Sequence, residues 1–297
     1  MAVYIPANGL EITELRRQIN SYTTPELSNV HQSSIKDPLT GEPLINNRSM
    51  VPHANIVFFG PVGSGSIQRE LSDHNPDQHK TLQWREYISN KASTVVFQDT
   101  RGDQAYSPHE QDLHRRELMG FYKNGALLED FHVFNKEWWS QRFFWTRSIR
   151  SRPHCVVFVF DGSLDPFFSG ETVRFFTDVF QDCLGYQYEP IVVVTCLDII
   201  YKQAIENGRD FNEEVDRRKD AILTAFSKLN FNNARIHFVA NFNQGSRHVH
   251  RLWDNRDEGF SHSEIEFVKL YKELLECANL FLSNNLSQES FTSCALL

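Results

Sequence analysis

Apolar runs with β character recur along the chain at Ile56–Phe59, Leu82–Tyr87, Thr94–Phe97, Val156–Phe160, Ile191–Val194 and Ile236–Val239. Segments with helical spacing lie between most of them, near His109–Tyr122, Glu137–Ile149, Glu171–Cys183, Asn212–Leu229 and Ser263–Leu282. Strand and helix alternation of this kind predicts a mostly parallel sheet covered on both faces. Val156-Val157-Phe158-Val159-Phe160 is apolar on both of its alternations, which only a strand buried on two sides tolerates. The expected fold class is therefore α/β, a three-layer, doubly wound, mostly parallel sheet.

The pattern also divides the chain. Residues 1–52 read as an N-terminal helix, Glu11–Ile19, followed by an extended polar arm rich in Asn, Ser and Pro. Residues 53–283 carry the alternation and form the predicted domain. Residues 284–297 read as a flexible tail, the polar run having begun at Ser283. The 297 residues are 40% hydrophobic and 23% charged, the balance of a folded globular protein.

A net charge of -8 with no basic stripe argues against nucleic acid as partner, because neutralising phosphates takes clustered Lys and Arg. Five scattered cysteines without a CxxC pair point to a reducing compartment. No secretory leader and no apolar stretch of about 18 residues is found. The expected location is cytoplasmic, with membrane contact only through a lipid.

The chemistry is concentrated where strands end. Ile56-Val57-Phe58-Phe59 runs into Gly60-Pro61-Val62-Gly63-Ser64-Gly65, a strand followed by the first six positions of the phosphate-loop pattern GxxxxGK[ST]. The next two positions depart: Ser66 stands where the lysine belongs, and Ile67 where a hydroxyl would ligate magnesium. The amides of Gly63, Ser64, Gly65 and Ser66 still suit an anion nest at a helix N-terminus. Without the lysine no fixed cation bridges the β- and γ-phosphates. The alternative for this turn alone is a Gly-rich connection that binds nothing.

After the next apolar strand comes Asp99-Thr100-Arg101-Gly102, a DxxG. In that pattern the Asp holds magnesium through water and the Gly amide senses the γ-phosphate. Asp103 stands where a water-orienting glutamine would follow, which weakens the case for hydrolysis. Further on, Thr195-Cys196-Leu197-Asp198 matches [NT]KxD with cysteine in place of lysine. Asp198 there accepts from guanine N1 and N2, a pairing adenine does not offer; its bland alternative is a cap for the following helix. Ala240, after Phe238-Val239, is a positional match for the amide that meets guanine O6. The segment between Gly65 and Leu82 is short, as though a deletion or an alternative transcript had removed residues from the first switch.

With these motifs in order, the chain resembles the interferon-induced protein forty-four family of GTPase-like proteins from about Asn55 to Phe281. The resemblance is carried by Asn55 to Gly65, by His154-Cys155-Val156-Val157-Phe158-Val159-Phe160-Asp161, and by Glu276-Cys277-Ala278-Asn279-Leu280-Phe281. It implies a cytoplasmic P-loop NTPase (GTPase-like) domain that binds GTP or GDP, with members linked to antiviral responses. Nucleotide-binding residues would be Gly60, Gly63, Ser64, Gly65, Ser66, Asp99, Gly102, Thr195, Asp198 and Ala240, and Asp99 would be a weak, water-mediated magnesium ligand.

Cys294-Ala295-Leu296-Leu297 forms a CaaX box whose final Leu favours geranylgeranyl transfer to Cys294. No basic cluster precedes it, so a prenyl group would give reversible membrane contact. His109-Glu110-Gln111-Asp112-Leu113-His114 is not a zinc motif, since histidines five apart do not share a helix face. No residue is nominated as catalytic. The leading expectation is a guanine-nucleotide-binding protein with little or no hydrolysis that acts through protein partners. The alternative is a nucleotide-free pseudo-GTPase scaffold.

Overall fold

The computed structural model describes residues 14, 17, 51, 53–61, 84–89, 92–100, 108–126, 149–164, 167–239 and 262–292. Its strands are β1 (Ala54–Phe59), β2 (Arg85–Ser89), β3 (Ala92–Asp99), β4 (Cys155–Asp161), β5 (Ile191–Thr195) and β6 (Ile236–Phe238). They form one sheet in the order β2-β3-β1-β4-β5-β6. All neighbours pair in parallel except β2, which runs antiparallel to β3 at the edge. The helices are α1 (Pro108–Leu118), α2 (Gly170–Gly185), α3 (Leu197–Glu206), α4 (Phe211–Lys228) and α5 (His262–Thr292). This is the three-layer, doubly wound α/β architecture of the P-loop NTPases, in its GTPase-like strand order.

Two-sided burial of the central strands is explicit. In β4, Val156, Phe158 and Phe160 face one apolar cluster, while Cys155, Val157 and Val159 face the other. β1 divides likewise, with Val57 and Phe59 on the first side and Ala54 and Ile56 on the second. The first cluster is filled from α2 and α4 by Phe175, Phe176, Val179 and Phe226. Phe176 sits edge-on to Phe158, Phe160 and Phe226 at centroid separations of 5.1, 5.9 and 5.2 Å, the geometry aromatic quadrupoles favour. The second cluster is closed by α5 through Leu270, Leu274, Leu275 and Ala278.

The larger differences from the sequence expectation are these. β2 begins at Arg85 rather than Leu82, because the buried Trp84 gives its N–H to Ala126 O (2.7 Å) instead of the ladder. α1 stops at Leu118 rather than Tyr122, where Gly120 turns to φ +71° and its N–H bonds Glu117 O. α3 was not anticipated as a helix. α5 runs on to Thr292 through the polar stretch expected to be loose from Ser283, which contains no Gly or Pro to stop it. The expected helix at Glu137–Ile149 and the N-terminal arm lie outside the described residues, save isolated positions.

Polar groups fix the start of β1 against β4. His154 N–H donates to Asn55 O (2.7 Å), and Asn55 N–H donates to His154 Nδ1 (2.9 Å). The Asn55 amide reaches Arg150 O and Arg152 O at 2.9 and 3.0 Å. With Nδ1 accepting, Nε2 carries the proton and donates to Ile149 O (2.7 Å), so the ring is neutral. Burial, with help from the neighbouring Arg152 charge, holds the imidazole down at about 4 against an ordinary 6.5. The folded-state value is depressed, so this group's stabilisation is complete above pH 6.5 and drains away as pH falls toward 4, by about 3 kcal/mol in all. The His154 ring signals followed by NMR should stay constant from pH 7.5 to about 5 in the folded protein and titrate near 6.5 in urea. Titration near 6.5 in the folded state would contradict the neutral latch.

Candidate functional site at the carboxyl rim of the sheet

Parallel strands place their carboxyl ends on one rim, and the winding here reverses at β1, which has β3 on one side and β4 on the other. A crevice outside that reversal is where open α/β sheets receive ligands. Gly60 leaves β1 at this point and is buried. Asp99, the last residue of β3, is 1% exposed, and its Cα is in register with Phe58 of β1. Thr100 Oγ1 donates to Phe58 O at 2.7 Å, tying the exit of β3 to the exit of β1. These two strand ends therefore leave the sheet side by side.

The other half of the rim is built on β4 and β5. Asp161 Oδ1 accepts from Ser163 N (2.8 Å) and Ser163 Oγ (2.6 Å), an Asx turn that ends β4. Gly162 N–H donates to Thr195 O at 3.0 Å, and the buried Thr195 Oγ1 donates back to Phe160 O at 3.2 Å. From α4, the largely buried Arg218 adds two bonds to the turn, at Ser163 O (3.0 Å) and Leu164 O (2.7 Å). Val239 N–H reaches Val194 O at 2.8 Å, so the chain enters the segment containing Ala240 beside the end of β5.

Between β5 and α3 sits a strained residue. Cys196 has φ 65° and ψ 26°, the left-handed region, although it is not glycine. That conformation costs an L-residue about 1–2 kcal/mol and is concentrated at ligand-binding turns. Its side chain is buried, with Sγ 3.5 Å from Thr195 Oγ1. Cys196 is also the N-cap of α3, without a side-chain capping bond, and its C=O accepts from Ile199 and Ile200. Asp198 is the second residue of that helix, two positions past its N-cap.

Of the residues nominated from sequence, Gly60, Asp99, Thr195 and the backbone of Asp198 are thus on one rim. β1 and β5 are separated only by β4, about 10 Å at ordinary strand spacing. Gly63, Ser64, Gly65, Ser66, Gly102, Ala240 and Cys294, and the Asp198 side chain, lie outside the described residues. Among the described residues no group of three or more His, Cys, Asp or Glu could hold a metal ion. Sequence reasoning overlooked Thr100, Gly162 and Arg218. Asp-Gly at the end of an apolar run marked the second, while the pairing of Arg218 with a turn 54 and 55 residues away had no sequence signal.

No family model matches the chain, and no curated protein sequence does either. Among solved structures, the chain is similar to a dimerization-deficient mutant of Toc33 from Arabidopsis thaliana. The TM-score is 0.45 at 12% identity, over 76% of this chain and 84% of that one. The fold assignment rests on the strand order and pairing described above.

The Gly162 position gives a direct check of the rim. A Cβ there would lie 2.7 Å from Val194 Cγ1 and 2.9 Å from Thr195 O, and the latter is backbone that cannot swing aside. Gly162→Ala should lower stability by about 1–3 kcal/mol in urea denaturation. A wild-type midpoint would mean that β4 and β5 do not approach so closely.

Proposed function

We propose that the chain is a guanine-nucleotide-binding G-domain protein with a degraded phosphate loop, little or no GTP hydrolysis, and action through protein partners. The observation that supports it best is the shared rim. Gly60, Asp99 with Thr100, and Thr195 with Cys196 leave β1, β3 and β5 on the same side of the sheet, around the point where the winding reverses. In this reading the amides of Gly63 to Ser66 meet phosphate, Asp99 takes a magnesium ion through water, and Asp198 and Ala240 meet the guanine. The resemblance to the interferon-induced protein forty-four family extends the proposal to an innate immune or antiviral setting. Ser66 and Ile67 remove the lysine and the metal-binding hydroxyl, so binding is weak and turnover negligible.

A second reading, a nucleotide-free scaffold, draws on Cys196. Where a lysine stem would cover the base, this side chain is small and turned into the protein, so one wall of a guanine pocket is missing.

Calorimetry with GTP, GDP and ATP, with and without magnesium, separates the two. Saturable heat with guanine nucleotides only is the expected result; no heat favours the scaffold, and steady phosphate release contradicts both. Asp198→Asn should weaken GTP at least tenfold and improve xanthosine triphosphate, because the amide donates where the carboxylate accepted. Ser66→Lys with Ile67→Ser should tighten GTP, and unchanged affinity would show that the loop does not cradle phosphate.

The proposal includes reversible membrane contact through a prenyl group on Cys294. Intact mass measurement of protein from eukaryotic cells is the check, with an unmodified Cys294 ending that part.

A further inference from the structure

Helix α4 reaches the exit of β5 by two routes. Val215 packs directly on Leu197 and Ile200, in the first turn of α3, with Phe238 of β6 alongside. One turn further along the same face, Arg218, 7% exposed, donates from Nη2 to Ser163 O at 3.0 Å and to Leu164 O at 2.7 Å. Those carbonyls belong to the turn that Asp161 closes, and Gly162 in that turn gives its N–H to Thr195 O at 3.0 Å. A Cβ on Gly162 would meet Thr195 O at 2.9 Å and Ile200 Cδ1 at 3.8 Å, so the turn is seated against the last residue of β5 and against α3 together.

A guanidinium is kept in a dry interior only where its N–H groups find acceptors. Arg218 places two bonds on backbone carbonyls, which no rotamer change can withdraw, so the main chain of the turn is held from the helix layer. Thr195 O belongs to the peptide that joins Thr195 to the left-handed Cys196. A shift of the turn therefore rotates that peptide, and with it the start of α3 where Asp198 stands.

We propose that Arg218 is a positioning residue for guanine recognition, holding the segment from Thr195 to Asp198 through the turn after β4. The inference rests on the guanine-nucleotide reading of the rim and deepens it, since it assigns to a residue of α4 the angle at which that segment meets the base. Arg218 acts through the turn and touches no nucleotide itself. Hydrogen bonds weaken steeply as they bend, so a small rotation of the segment falls on the bonds to guanine N1 and N2 more than on phosphate contacts made from the end of β1.

The test compares GTP with inosine triphosphate, which lacks the 2-amino group, by calorimetry on the full chain. The unsubstituted protein should bind GTP more tightly. Arg218→Gln should lower that preference about fivefold and change the affinity for inosine triphosphate little. Arg218→Lys, which keeps the charge without the planar fork, should fall between the two. A mere loss of folded protein would reduce the active fraction and leave the preference where it was. Arg217→Gln is the control: Arg217 is exposed on α4 and pairs with Glu214, and its loss should keep the wild-type preference. Should Arg218→Gln fail to fold, Ser163→Ala removes only the hydroxyl bond to Asp161, loosens the same turn more gently, and should move the preference in the same direction.

Amide exchange followed by NMR adds a readout that needs no nucleotide. In Arg218→Gln the N–H groups of Gly162, Ile199 and Ile200 should exchange faster, with that of His154 unchanged. GTP binding with an unchanged preference, or unchanged exchange at Gly162, would overturn this inference alone. Absence of GTP binding by the unsubstituted chain would overturn the reading beneath it as well.

Discussion

Asn55 and His154 hold β1 and β4 in register, and nearly everything about the rim depends on that register. Alternating apolar and polar residues usually fix how strands pair, because a one-residue slip would turn the wrong side chains to the core. The central strands here are apolar on both faces, so a slip costs them little by that criterion. Reciprocal hydrogen bonds between two buried polar residues supply what the hydrophobic pattern lacks. A slipped pairing would strand the Asn55 amide and both nitrogens of His154 in a dry interior, at about 1–3 kcal/mol for each unmet group. This interaction acts at the opposite end of the strands from the candidate site, yet it sets how far β1 and β4 project toward it.

Downstream of that constraint the rim is held by a small set of internal bonds. Thr100 links β3 to β1, Gly162 and Thr195 link β4 to β5, and Arg218 braces the turn from the helix layer. The burial that surrounds them raises their worth, since a buried polar group without its partner is costly. It also supports the left-handed Cys196. A conformation that costs about 1–2 kcal/mol persists only where the surroundings determine it more strongly. The packed end of β5 and the start of α3, with Leu197 and Ile200 against Val215, provide that determination.

The legible parts of the sequence were those where one physical rule acts alone. β4 was readable because the five residues Val156 to Phe160, without a surface alternation, must be buried on both sides. Helices α2 and α4 were readable from their period; the structure adds their caps, Ser169 and Asp210, which accept from Thr172 N and Glu213 N. Where two rules compete, reading failed. Trp84 has strand character, but its burial beside Tyr122 and its bond to Ala126 O take it out of the ladder. Leu197-Asp198-Ile199-Ile200 has β-branched content that hid a helix, which forms because the turn at Cys196 directs the chain away from the sheet. The place of Asp99 at the end of an apolar strand was legible. The conformation of Cys196 was not, since no residue type there advertises a positive φ.

The sheet is held by contacts among its own strands and helices. The bonds described at the rim join Thr100 to Phe58, Gly162 to Thr195, Thr195 to Phe160 and Arg218 to the turn after β4. The sheet draws its stability from aromatic packing on one face, from α5 on the other, and from the latch between Asn55 and His154. On these grounds the geometry of the rim is maintained by contacts among the protein's own backbone and side chains.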